Sequence, residues 1–288
     1  AGEPKRILKT LTPIILDKLN NLSESEGESL VEKIKEHLGH KDIMFYMKNP
    51  DMASVLTSSN IDGSVYNMPS DFWGNYLAIV NANIAGGKSD VFVRQTVEAK
   101  IDVDNNGGIF TDLTLSRPHS GDKEKDFWWR ATNKDFLQIF VNPTAIIFSL
   151  KGNDVRSFAT STGYDGYSVN PDVSAIESTK IFLTNYNAWT MDAFSKKVFA
   201  MWFNTPAGKT KTLNLRYQVP AASQEDIQDG KVYQFVFDRQ SGAKFDSFKV
   251  SVSAPLGYVW LESNSMNFNY ETIDQETRIK FALTLKKT

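Results

Sequence analysis

Cysteine is absent from this 288-residue chain, which excludes disulfides, thiolate metal sites and a thiol nucleophile. Histidine is scarce: the three are His37, His40 and His119, too few for most metal and acid–base centres. Charge of one sign is lacking too. Lys plus Arg is 32 and Asp plus Glu is 34, for a net charge of -2, so the broad basic face of a general nucleic-acid binder is missing. No apolar run reaches the roughly 18 to 20 residues of a bilayer-spanning helix. No internal repeat or low-complexity tract occurs. The first residues, Ala1-Gly2-Glu3, lack both Met and a signal-peptide pattern, which reads as a processed or cut fragment. What is present is a chain 41% hydrophobic and 23% charged, able to bury a core and remain soluble.

The opening stretch reads as helix. Ile7, Leu8, Leu11, Ile14, Ile15, Leu19 and Leu22 recur at spacings of three and four, with Pro13 expected to end or kink the pattern. Ser23 and Glu26 match a capping box, and Leu30, Val31, Ile34 and Leu38 form a second amphipathic set closing at Gly39. A further short helix fits Pro50 to Ser58. The period then changes. Val91 to Val103 alternates, halts at Asp104-Asn105-Asn106-Gly107-Gly108 and resumes at Ile109 to Leu115, a hairpin signal. Strand-like runs follow from Phe136 to Leu285, with no helices expected among them after about residue 60. The pattern predicts an α+β, mainly β protein: an N-terminal helical segment and then an antiparallel, immunoglobulin-like β-sandwich in one or two units. The domains read as a helical segment and linker over 1–75, a sandwich over 76–222 and a C-terminal β unit over 223–288. Gln224 to Gly230 marks the boundary.

Few motifs suggest chemistry. Ala82 to Ser89 resembles the second half of a phosphate-binding loop, but Ala82 stands where glycine is needed, and Ser89 leads toward strand-like residues rather than a helix. Asp102, Asp104 and Asn106 match the start of a calcium loop. Position twelve, however, is Leu113 instead of glutamate, so a hairpin turn with at most a weak calcium site is expected and no metal is assigned. His37 and His40 read as solvated helix-end residues. A Ser120–His119 dyad lacks the nucleophile elbow it would need. No catalytic residue and no cofactor is therefore assigned. Aromatic residues say more: Phe127-Trp128-Trp129-Arg130 follows a highly charged stretch, and Tyr164, Tyr167, Tyr186 and Trp189 recur in loops or weak strands. Such rings either close the ends of a sandwich core or form a platform for a sugar or protein partner.

Asn75-Tyr76-Leu77-Ala78-Ile79-Val80-Asn81-Ala82-Asn83, followed by Gly86-Gly87-Lys88-Ser89-Asp90, resembles the C-terminal part of the bacterial family catalogued as domain of unknown function 4012. Lys41-Asp42-Ile43, Ile61-Asp62-Gly63, Asn133 to Pro143, Val198 to Tyr217 and Arg239-Gln240-Ser241-Gly242 resemble further landmarks in the same order, with Ser241 replacing a proline. The resemblance implies an extracytoplasmic protein of the bacterial surface, anchored in the membrane through an N-terminal segment ahead of this chain. It carries over no catalytic residues. Two functions are open. One is a non-catalytic cell-surface module for adhesion, envelope assembly or binding of a wall glycan or surface protein, with Asn83, Lys88, Trp128, Trp129 and Arg130 as candidate contacts. The other is the accessory half of an enzyme acting on wall polymers, its active centre elsewhere, with Lys88, Arg94, Arg117 and Arg130 steering an anionic polymer.

Overall fold

The computed structural model describes residues 6–84, 87–155, 166–221, 227–243, 245–273 and 276–288, and it divides into two units, 1–63 and 64–288. The first unit is helical: α1 (Arg6–Asn20), α2 (Glu24–Gly39) and α3 (Pro50–Ser58). At α2 the Ser23 hydroxyl accepts the Glu26 N–H while the Glu26 carboxylate accepts the Ser23 N–H. Asn49 caps the Asp51 and Met52 amides of α3, with Pro50 in the first turn, where its missing N–H costs nothing. α1 departs from expectation, because it runs through Pro13. Proline removes one bond of the ladder there, and the remaining bonds carry the helix across it.

The second unit is a two-layer β-sandwich. Its strands are β1 (Gly74–Val80), β2 (Gln95–Val103), β3 (Ile109–Pro118), β4 (Asn133–Val141), β5 (Ile146–Lys151), β6 (Ile181–Leu183) and β7 (Ala188–Ala193), followed by β8 (Lys196–Thr205), β9 (Thr210–Val219), β10 (Val232–Asp238), β11 (Phe245–Ser253), β12 (Tyr258–Trp260), β13 (Asn267–Thr272) and β14 (Arg278–Lys287). One sheet has the order β12-β14-β10-β1-β4-β8-β7-β6 and the other β13-β11-β2-β3-β9-β5. Period-two alternation builds the core between them. Val97, Ala99, Ile101 and Val103 of β2 point inward with Leu113 and Leu115 of β3, and they meet Leu77, Ile79, Leu137, Ile139, Phe235 and Phe237 of the facing sheet.

In the sandwich, sequence and structure differ in four places. Two ladders are parallel, β1 with β10 and β2 with β11, while the remaining ladders are antiparallel as expected. Gly74 permits the first of these, since a Cβ there would lie 1.8 Å from the Gln234 carbonyl oxygen. Residues 223–288 are not a separate unit, because β10 and β14 join the first sheet and β11 and β13 the second. Of the expected boundary, Gln224, Glu225 and Asp226 lie outside the described residues. Helices also interrupt the β region: α4 (Phe127–Arg130) and α5 (Pro171–Ser178), the latter capped by the Asn170 side chain. Finally, β2 starts at Gln95 rather than Val91, since Ser89–Phe92 forms a 3-10 turn.

Candidate functional site

β1 and β10 run side by side in one sheet, and β2 and β11 side by side in the other. The connections β1→β2 and β10→β11 therefore cross between the sheets at the same end of the sandwich. They enclose a cavity of about 440 Å³ lined by Asn81, Asn83, Asp90 and Arg94 from the first connection, Gln240 and Ala243 from the second, and Gln95 and Arg117 from the strands.

The cavity is polar because the interior rows of the strands change character here. In β2 the inward series Val103, Ile101, Ala99, Val97 ends in Gln95; in β3 the series Leu113, Leu115 ends in Arg117; in β4, Asn133 and Asp135 precede Leu137 and Ile139. Asp135 is fully buried and Arg117 is 4% exposed. Burial of a charge is costly unless it is paired, and these two pair: Arg117 Nη1 donates to Asp135 Oδ2, while the Ala82 N–H donates to Oδ1 at 2.7 Å. Burial pushes the Asp135 carboxyl up to about 6, against the pull of the guanidinium and the Ala82 amide.

Around this pair the loop is pinned by amide side chains. The Asp90 carboxylate accepts from Asn133 Nδ2 and from Asn83 Nδ2, each at 2.8 Å. Gln240 grips the Asn81 main chain as a neighbouring strand would, accepting its N–H at 2.8 Å and donating to its carbonyl at 2.9 Å. Asn81 Nδ2 donates to Gln95 Oε1 at 3.3 Å, and Arg94 pairs with Asp246.

The network is nevertheless incomplete. Asn81 Oδ1, Asn83 Oδ1, Gln95 Nε2 and Arg117 Nε are buried without a hydrogen-bond partner, as is Asn133 Oδ1 beside them. An unpaired buried polar atom costs about 1–3 kcal/mol, so a fold tolerates such atoms sparingly. Four of them on side chains that line one cavity mark it as a site under tension.

The candidate contacts read from the sequence fall on this corner, but only Asn83 lines the cavity. Lys88 is exposed and precedes the 3-10 turn Ser89–Phe92, whose Asp90 and Val91 line the cavity. α4 packs on that turn through Trp129, half-buried with its ring centroid 5.6 Å from that of Phe92. Arg130 is exposed. Phe127 and Trp128 are 62% and 51% exposed, with ring centroids 4.1 Å apart. His119, which the sequence places in an open loop, is buried beneath α4: its Nδ1 accepts the Gly121 N–H at 3.1 Å and its Nε2 meets the Ala131 carbonyl at 3.0 Å. That assigns the ring proton to Nε2 and leaves the imidazole without a free nitrogen for Ser120, whose hydroxyl bonds Phe92 O instead.

Asp102, Asp104 and Asn106 lie at the far end of β2. Asp104 Oδ1 accepts the Asn106 and Gly108 amides at 2.8 and 2.9 Å, closing the β2–β3 hairpin, and Asp102 sits exposed on β2. Of the loop resembling a phosphate-binding motif, Ala85 and Gly86 lie outside the described residues, and so does Tyr164 among the aromatics. Among the described residues no group of three His, Cys, Asp or Glu gathers as metal ligands, and no helix is long and apolar enough to cross a membrane.

Gln95, Asp135 and Gln240 were not singled out as site residues by motif or composition, and Arg117 only as a steering charge. Polar residues in the inward register of otherwise apolar strands are the signal that finds Gln95, Arg117, Asn133 and Asp135. No protein-family model and no curated protein matches the chain. Among solved structures, it is similar to a Legionella pneumophila protein provisionally named a nutrient-binding protein, at 8% identity and a TM-score of 0.39, over 74% of this chain and 71% of that one.

Proposed function

We propose that residues 64–288 form a non-catalytic binding module that takes a small polar ligand in the cavity bounded by Asn81, Asn83, Gln95, Arg117 and Gln240. One observation carries this: unpaired buried polar atoms cluster on the side chains lining a single cavity at a sandwich end. A volume of about 440 Å³ lies within the roughly 300–1,000 Å³ typical of small-molecule sites. The non-catalytic part of this reading is supported by how the titratable groups there are used. Asp135 is held by Arg117 and Ala82, and both nitrogens of His119 are engaged. We further propose that the module works on the outside of the bacterial envelope, a placement supported by the family resemblance of Asn75 to Asp90 and Asn133 to Pro143.

The test is thermal stabilisation of the full chain by a panel of neutral sugars, amino acids, small carboxylates and inorganic phosphate. A ligand at a hundred times its Kd stabilises by about 2.7 kcal/mol, a readily measured rise in melting temperature. The wild type should respond to at least one solute, and Gln95→Leu should respond less. A panel that moves neither protein, or moves both equally, removes the cavity as the site. Fractionation of the native host, with the protein in the cytoplasm, would remove the surface placement.

A further inference from the structure

We infer that the ligand of this cavity is a neutral saccharide ring, an assignment that rests on the binding function proposed above and specifies its chemistry. The unpaired set is mixed: Asn81 Oδ1 and Asn83 Oδ1 accept, whereas Gln95 Nε2 and Arg117 Nε donate. Ionised carboxylate oxygens only accept, phosphate oxygens accept far more than they donate, and an ammonium only donates, while each hydroxyl does both. Adjacent ring hydroxyls can therefore satisfy a mixed set that an anion or an amine would leave half unpaired.

The mixture does not depend on how the amides are oriented. Asn83 Nδ2 faces the Gly87 carbonyl and the Asp90 carboxylate, which only accept, so its oxygen is fixed as the free acceptor. Asn81 and Gln95 spend one donor and one acceptor on each other, and turning both amides over still leaves one of each.

Charge points the same way. Arg117 is matched by Asp135 and Arg94 by Asp246, and Asp90 adds a further negative charge. Counting Arg239, which donates to the Ala243 carbonyl, three guanidinium groups stand against three carboxylates and provide no surplus to hold an anion. Val91, Val93 and Ala243 give the same cavity apolar wall for the C–H faces of a sugar ring. The four unpaired atoms are shut off from solvent in the empty protein, so binding is accompanied by a turn of the Asn81, Asn83, Gln95 and Arg117 side chains toward the ring as it enters.

The experiment titrates isotope-labelled full-length chain with glucose, galactose, mannose and N-acetylglucosamine, and separately with inorganic phosphate, acetate and glycine. At least one neutral sugar is expected to bind one to one and to shift the side-chain amide signals of Asn81, Asn83 and Gln95. Its affinity should change little between low and high salt, and Gln95→Leu should weaken it about tenfold. Binding of phosphate, acetate or glycine at those amides, with no sugar binding, overturns the saccharide assignment while leaving the cavity a binding site. A sugar that shifts only signals remote from residues 81–95 overturns the assignment as well. No response to any of the seven probes overturns both the assignment and the binding function. The wild-type amide signals provide the readout even where the Gln95→Leu variant fails to fold.

Discussion

Two Arg–Asp pairs lie almost wholly out of solvent in the sandwich, and they are finished differently. Arg278 and Asp238 sit on the outer face of the first sheet. Asp238 Oδ1 accepts from Arg278, and its Oδ2 accepts the Tyr66 N–H and the Tyr76 hydroxyl, each at 2.9 Å. The Arg278 guanidinium also donates to Ser64 O and stacks 5.1 Å from the Tyr66 ring, while the Lys196 ammonium donates to Tyr66 O at 2.9 Å. Burial holds that ammonium below the ordinary lysine value, and it pushes the Tyr76 hydroxyl up. The pair thus staples the segment around Tyr66 to the sheet. Arg117 and Asp135, between the sheets, have fewer partners and an idle Nε. Equal burial with unequal satisfaction separates a structural staple from the pair beside the cavity.

The contrast can be broken most severely at the staple. Asp238→Ala strands a buried guanidinium and two further donors, and chemical denaturation should register a loss of about 3–5 kcal/mol; a loss below 1 kcal/mol would deny the staple its role. Replacing each pair by apolar residues sharpens the distinction. Arg278→Met with Asp238→Leu still orphans Tyr66 N–H, Tyr76 O–H and Ser64 O, for about 3 kcal/mol or more. Arg117→Met with Asp135→Leu orphans only the Ala82 N–H and relieves Arg117 Nε, so it should cost about 1–2 kcal/mol while abolishing ligand binding. Equal costs in the two double variants would erase the comparison.

A subtler effect is expected with pH. The folded Asp135 carboxyl titrates at about 6, above its ordinary 3.8, so the native state holds a proton that the unfolded chain releases. This group's contribution to stability is therefore fully present below the unfolded value and is lost as pH rises toward 6. Melting curves from pH 4 to 7 should show Asp135→Asn gaining on the wild type across that window; a constant difference would mean the carboxyl is not raised. The smallest effect belongs to the exposed ring of α4. Trp128→Ala should leave stability within about 0.5 kcal/mol, and its affinity for the bound sugar, compared with wild type by calorimetry, should fall no more than about threefold.

Much of the scaffold could be read directly from residue order. Ser23 with Glu26 announced the start of α2, Asp104 to Gly108 announced the β2–β3 turn, and alternating Val97, Ile101 and Val103 announced an inward row. Pairing partners could not be read this way, because a period of two says which face a residue takes and nothing about the strand beside it. Hence the parallel partnerships of β1 with β10 and β2 with β11 were hidden, and with them the cavity they create. The tight β7–β8 turn went unread because Phe194 and Ser195 hold φ of 53° and 57° without the Asn-Gly pair that usually signals such a turn. Asn83 was picked for its loop, and it does line the cavity. Trp128 was picked for its surface, and it is exposed on α4. Arg117 and Asp135 needed a different question, namely which polar side chains occupy inward positions.

The grip of Gln240 on Asn81 joins residues 159 apart in the chain. A growing polypeptide on the ribosome has β1 and β2 in hand long before β10 and β11 emerge, and until then one side of β1 and of β2 is an open edge. Closure over so long a stretch is slow. The cavity is thus among the last features to form during biosynthesis, and a nascent chain halted ahead of residue 232 would have sheets but no cavity between them.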